Sequence, residues 1–278
     1  MLHACISLVP LSACGKPHTR CYLVFVAPSL TMPLHPATQK LIAKVEELSG
    51  KPVHVKEDST LKLMATVSPA RGAAPAHFLS YRPGTKAADY LVAYQLGFLI
   101  RLFTCPAELR VEVAALPHEQ QQGIEAMGLA EAPPDFARMM ISSISQQLRT
   151  YPVGMRVDHW IWHEVPELRE QQIHSVQSQL AENSRALVPE IRQKFPKALV
   201  DANTKMNAAY AEVWSVLLDD KRIAIPYQAL GYASKAAKLL AALREVPDHP
   251  TADRLLIERW AEVIGLTGSF HFSPLSHS

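Results

Sequence analysis

Residues 88–101 read Ala88-Asp89-Tyr90-Leu91-Val92-Ala93-Tyr94-Gln95-Leu96-Gly97-Phe98-Leu99-Ile100-Arg101, with formal charges only at Asp89 and Arg101. Leu91, Val92, Leu96, Leu99 and Leu102 recur at helical spacing, so the stretch predicts an apolar core helix running from Thr85 to Thr104 and ending before Pro106. Upstream the period changes. Leu61 to Val67 begins with apolar–polar alternation, as a half-buried strand does, and His77-Phe78-Leu79-Ser80-Tyr81 reads as a further strand closed by Arg82-Pro83-Gly84. Ser68 to Pro75, rich in Ala, Pro and Gly, is a turn, and Pro52 to Val55 is short and β-like. Before these, Leu41, Ile42, Val45 and Leu48 mark a helix that opens at Pro36 and stops at Gly50.

Downstream of the quoted helix the chain is helical in character. A helix from about Glu108 to Gly128 is expected to be interrupted at Pro117 and Gly123. Another opens at Pro133-Pro134-Asp135 and is expected to break at Tyr151-Pro152-Val153-Gly154, with a short helix through Trp160 and Trp162 after it. Helices then begin at Pro166 and at Phe195-Pro196. Two more fill Tyr227 to Leu243 and Thr251 to Ile264, the last closed by Gly265. The order predicts an α+β fold: a small N-terminal sheet packed on a core helix, followed by a mainly helical C-terminal half. We expect one domain over 32–278, its sheet-plus-helix part spanning about 32–130 and its helical part about 131–278.

The bulk composition narrows the function classes. The 278 residues are 48% hydrophobic and 19% charged, with a formal net charge of +2, an ordinary balance for a packed core. No Lys/Arg run exceeds a pair, so no nucleic-acid surface is indicated. No apolar run approaches the ~18–20 residues of a membrane span. The cysteines, Cys5, Cys14, Cys21 and Cys105, have no Cys-x-x-Cys spacing, which argues against a zinc knuckle or disulfide framework and favours a reduced cytoplasm. Residues 1–31 are expected to be a poorly ordered or spurious extension. Their Leu11-Ser12-Ala13-Cys14 run is the basis of a second reading, a lipoprotein anchored through Cys14.

Strand, turn, strand, turn and then Tyr90-Leu91-Val92-Ala93-Tyr94-Gln95-Leu96-Gly97-Phe98 resembles the ImmA/IrrE-like zincin metallopeptidases over about Leu61 to Phe103. In zincins a helix behind a small sheet carries His-Glu-x-x-His. Two histidines four apart share one helical face and one Zn²⁺, and the glutamate works on the metal-bound water as general base. Here Tyr94 falls on the first His, Gln95 on the Glu, Leu96-Gly97 on the common Leu-Gly, and Phe98 on the second His. The resemblance therefore implies the framework without the chemistry. Phe98 has no lone pair for a metal, Tyr94 is a poor ligand with a phenol titrating near ~10, and Gln95 cannot take a proton. The expectation is a catalytically inactive, zincin-like pseudo-peptidase acting through a protein partner or as a regulatory or structural component, with no cofactor. By position alone, Asp201 and Glu212 are candidates for the family's later acidic ligand.

Rival sites carry other chemistry. His159 and His163 share one helical face, with Asp158 and Glu164 beside them, and together would suit an active metal-dependent hydrolase that requires zinc. The plainer reading of that segment is an amphipathic helix with both histidines in water. Cys105 with His118 is a conceivable nucleophile–base pair, although a small buried residue is the simpler account of Cys105. No Gly-x-Gly-x-x-Gly, Walker loop or Gly-x-Ser-x-Gly elbow is present. A third possibility is an unrelated helical protein in which residues 86–104 are simply core.

Overall fold

The computed structural model describes residues 33–275; the expectations for residues 1–31, Cys14 included, lie outside them. Helix α1 (Pro36–Ser49) starts where Pro36 can occupy the first turn at no hydrogen-bond cost, and it ends as Gly50 takes a left-handed φ of 67°. The N–H of His35 donates to Asp89 Oδ1 at 2.7 Å, which ties the start of α1 to the first turn of α2 (Ala88–Thr104). Between them lie β1 (Val53–Glu57), β2 (Ala65–Ser68) and β3 (His77–Tyr81). They form one mixed sheet in the order β1-β3-β2, with β1 parallel and β2 antiparallel to β3, so β2 is an edge. The fold is α+β, as the sequence predicts.

The elements that follow are β4 (Val111–Ala114), α3 (Pro117–Ala126), α4 (Pro134–Glu164), α5 (Arg169–Arg185), α6 (Pro189–Arg192) and α7 (Lys197–Leu217). The chain ends with α8 (Ile225–Ala229), α9 (Ala233–Glu245), α10 (Asp253–Ile264) and β5 (His271–Pro274). No helix of the described residues is long and apolar enough to cross a membrane.

Four local expectations give way. Residues 61–64 are irregular, with a bend over 62–64, and only 65–68 pair with β3, so the alternation at Leu61 and Leu63 is not a ladder. Residues 111–114, expected within a helix, form a strand: Val111 and Val113 are β-branched, and β4 finds an antiparallel partner in β5, about 160 residues on. Gly123 does not interrupt α3; a Cβ there would meet Ile141 Cδ1 at 2.7 Å, so glycine lets α3 lie close on α4. The expected break at 151–154 is absent as well.

Helix α4 runs unbroken through Pro152 for 31 residues. A proline inside a helix forfeits one i→i−4 hydrogen bond, a cost of about 3 kcal/mol that packing must offset. Every residue from Thr150 to Asp158 is buried, so the surrounding core fixes this segment from all sides. Thr150 Oγ1 donates back to Gln146 O at 2.9 Å one turn before the proline.

The buried apolar side chains fall into two clusters. One joins α1, the three-stranded sheet and α2 to Val157, Ile161, Val165 and Leu168 at the end of α4. The other gathers α3, the first two-thirds of α4 and α7 to α10 around Trp214 and Trp260. Phe98 packs against both.

A cleft over the core helix

Helix α2 meets α4 through two reciprocal glycines. A Cβ on Gly97 would overlap Val157 Cγ1, and a Cβ on Gly154 would overlap the hydroxyl of Tyr94. Each helix thus places a glycine where the other projects a large side chain, which brings the two backbones close. The Gly97 of the Leu-Gly pair and the Gly154 that reads as a breaker are both contact residues.

Tyr90, Tyr94 and Phe98 form a stripe on α2 with ring centroids 6.0 and 5.2 Å apart. Tyr94 is 1% exposed and turned toward α4. Burial, with the charge of Asp158 second, pushes its phenol well above the ordinary range, which takes it further from the phenolate a metal would need. Phe98 is only half-buried, while Gln95 is fully buried. With Leu99 and Leu102 they make an i, i+3, i+4, i+7 face that floors a cleft of about 550 Å³. Edge strand β2 contributes Val67 and Ser68, β4 contributes Val111 to Val113, α4 adds Arg149 and Val153, and α10 adds Asp253, Arg254 and Ile257.

Three positions where zincins place chemistry are therefore split: Tyr94 and Gln95 are closed off, at 1% and 0% exposure, and Phe98 is half-buried at the floor of a cleft beside an edge strand. These residues do not fit a zinc ion. Phe98 offers no donor atom, the Tyr94 phenol is held protonated, and the Gln95 amide cannot act as a base at water. Asp201 and Glu212 do not join them. Asp201 accepts from Tyr232 Oη at 2.6 Å and from Lys235 Nζ at 3.2 Å, and Glu212 accepts from Gln228 Nε2 at 2.8 Å. Both carboxylates tie α7 to the α8–α9 region, and neither lines the cleft.

His159 and His163 share a face of α4, with ring centroids 4.4 Å apart, and both are exposed. Partial burial and the neighbouring His163 lower the His159 pKa. Asp158, expected beside them, points the opposite way into the core. No group of three His, Cys, Asp or Glu side chains suited to a metal occurs among the described residues. Cys105 lines the cleft, but burial raises its thiol pKa, and Arg110, Asp253 and Glu108 are the charges around it; His118 is exposed on α3.

Asp158 is the polar residue that sequence reasoning undervalued. It is fully buried, and its carboxyl is pushed up to about 7 by desolvation, which hydrogen bonds from Tyr90 and Gln172 only partly offset. Tyr90 Oη donates to Oδ1 at 2.6 Å and Gln172 Nε2 donates to the Asp158 carbonyl at 2.9 Å, while Oδ2 has no hydrogen-bond partner of normal geometry. A second polar chain lies nearby: Tyr151 Oη donates to Asn207 Oδ1 at 2.8 Å and accepts from Asn183 Nδ2 at 3.4 Å. These groups join α2, α4, α5 and α7. Nothing in the sequence pattern of Asp158 separates it from a solvated residue before His159.

Comparison with family models, with curated proteins and with solved structures finds no match for this chain.

Proposed function

We propose that this chain is a catalytically silent, zincin-like protein that works by binding an extended peptide segment of a partner in the cleft over α2. The observation that carries this reading is the position of Gln95 and Phe98. Half-buried Phe98 floors an open cleft beside edge strand β2, with fully buried Gln95 behind it, where a zincin would hold its second histidine and base, and neither can do that chemistry. Among the described residues the main chain of β2 is paired only with β3, so its outer edge could add a strand, and alternate side chains of that strand would reach the apolar floor.

The test is selection of peptides from a library on the purified chain, followed by amide hydrogen exchange. Slowed exchange at residues 65–68 in the bound state is the expected result, together with weakened binding in Phe98→Leu, which keeps an apolar side chain against both clusters. Metal analysis runs alongside. Stoichiometric zinc with peptidase activity, both lost in His159→Ala and retained in Tyr94→Phe, would replace this reading with a hydrolase centred on His159 and His163.

A further inference from the structure

Strand β5 carries a constellation that the cleft over α2 does not use. His271 and Ser273 are two residues apart on the strand, so both side chains stand on one face of the β4–β5 ribbon. Ser273 Oγ lies 2.9 Å from His271 Nε2, and His271 Nδ1 lies 2.7 Å from Oε2 of Glu119 in the first turn of α3. Both strand residues are half-buried at the surface, and neither lines the cleft. No local motif links them to Glu119, which is 152 residues from His271 in the chain.

The three groups form a relay with one direction. An ionised carboxylate only accepts, so Nδ1 carries the proton that Glu119 receives. The neutral imidazole then has its lone pair on Nε2, where the Ser273 hydroxyl donates. Glu119 is held in place for this role, because Oε2 also accepts the N–H of Leu116 at 2.7 Å. That bond first, and the His271 ring second, keep its carboxyl below the ordinary range and therefore ionised at neutral pH. The other charges nearby are His118 on α3, which acts in the same direction on Glu119, and Glu112, which stands across the ladder from Ser273 and pairs with Arg71 at 2.7 Å. A main-chain donor is present as well. Leu275 N–H donates to Arg110 O at 2.8 Å, so by the alternation of an antiparallel ladder His271 and Ser273 pair with β4 while the N–H of Phe272 faces the outer edge of β5. Among the described residues β5 pairs only with β4.

We propose that Ser273, His271 and Glu119 form a second site, of esterase type, in which Ser273 is the nucleophile, His271 the general base and Glu119 the positioning residue for small carboxylic esters. This goes beyond the reading above, in which the silent positions are those over α2. In acylation Ser273 Oγ bonds to the carbonyl carbon as its proton passes to Nε2, and the charge gathers on the carbonyl oxygen at the edge where the Phe272 N–H points. Collapse breaks the bond to the leaving oxygen, which departs as an alcohol with the proton from Nε2. Water then attacks the acyl-serine, gives a proton to Nε2, and releases the carboxylic acid as Ser273 Oγ takes that proton back.

Treatment of the full chain with a small alkyl fluorophosphonate, followed by intact mass and peptide mapping, tests the site. Ser273 Oγ attacks phosphorus, fluoride leaves, and the expected product is one phosphonyl group on Ser273. It should form at least about a hundredfold faster than in the same chain unfolded in urea, and His271→Gln should remove most of that advantage. Glu119→Gln keeps an acceptor for Nδ1 but no charge. It should slow labelling several-fold and move the pH midpoint of labelling lower, because the imidazolium loses its carboxylate; a merely structural Glu119 would leave the midpoint unchanged. Turnover of p-nitrophenyl acetate is expected and should vanish in Ser273→Ala. Labelling at another residue, labelling of Ser273 at the unfolded-chain rate, or the parent rate in His271→Gln overturns the proposal. So does the absence of ester turnover, or its persistence in Ser273→Ala. Mapping on the parent chain requires no variant to fold, and none of these outcomes bears on the peptide cleft.

Discussion

Replacing Asp158 with asparagine tests whether a buried carboxyl sets the pH dependence of this protein. The carboxyl titrates at about 7 in the fold against an ordinary 3.8, chiefly through desolvation. Between those two values the folded chain keeps a proton that the unfolded chain has released, so unfolding sheds a proton and stability falls as pH rises. Below 3.8 both states are protonated and the loss is nil; above about 7 both are ionised and the loss is complete. About three pKa units at ~1.4 kcal/mol each make that loss roughly 4 kcal/mol. Asparagine keeps the Tyr90 hydrogen bond through its oxygen, but its amide nitrogen falls where Oδ2 has no partner. That mismatch costs about 1–3 kcal/mol at every pH. Asp158→Asn is therefore expected to be the less stable protein near pH 4, to cross the parent between about pH 4.5 and 6, and to be equal or better at pH 8. Urea unfolding followed by tryptophan fluorescence at steps from pH 4 to 8 measures the difference, and a carbon-13 carboxyl titration of Asp158 reads its midpoint directly. Parallel stability curves for the two proteins, or a carboxyl titrating near 4, would refute the reasoning.

Two further perturbations probe the packing that places the cleft. Gly154→Ala drives a methyl group into the Tyr94 hydroxyl, an overpacking cost of about 1–3 kcal/mol set against ~1 kcal/mol gained in helix propensity. Adding Tyr94→Phe removes the oxygen, so the double variant should melt above Gly154→Ala alone; absence of rescue would mean that the two helices do not meet there. Asp253→Asn withdraws the carboxylate that Arg101 and Arg156 share, and Arg156 is only 3% exposed. Leaving that guanidinium underpaired should cost about 3–5 kcal/mol in chemical denaturation, and a loss below ~1 kcal/mol would show that Asp248, 3.6 Å from its Nε, and Val246 O already satisfy it.

The cleft explains why part of the candidate site was legible and part was not. The i, i+3, i+4 spacing fixes which residues of α2 share a face, and that much is local. It does not say what covers the face. Tyr94 and Phe98 share a stripe, yet α4 closes over one and leaves the other at an opening, because Gly154 admits Tyr94 and nothing comparable covers the far side of Phe98. The arginines that line the cleft lie in separate segments with no common motif, so their convergence is a property of the fold alone. Position along the chain alone marks Asp201 and Glu212 as acidic candidates, and helix rotation turns both toward α8 and α9.

The sequence by itself determined the elements with strong local signals. Pro36 and Gly50 bound α1, His77 to Tyr81 form β3, Gly265 closes α10, and the order of strands before helices makes an α+β fold. It also determined that the segment Tyr94-Gln95-Leu96-Gly97-Phe98 carries no zinc ligands and no base, since that follows from side-chain chemistry alone. Only the tertiary structure decided the rest. Strand β4 exists because β5 pairs with it from the far end of the chain, Pro152 is carried through α4 because its surroundings are fully packed, and Asp158 faces inward at a cost in hydration. Each of these is settled by contacts between residues distant in the chain, and local propensity, worth at most about a kilocalorie per mole per ordinary residue, yields to them.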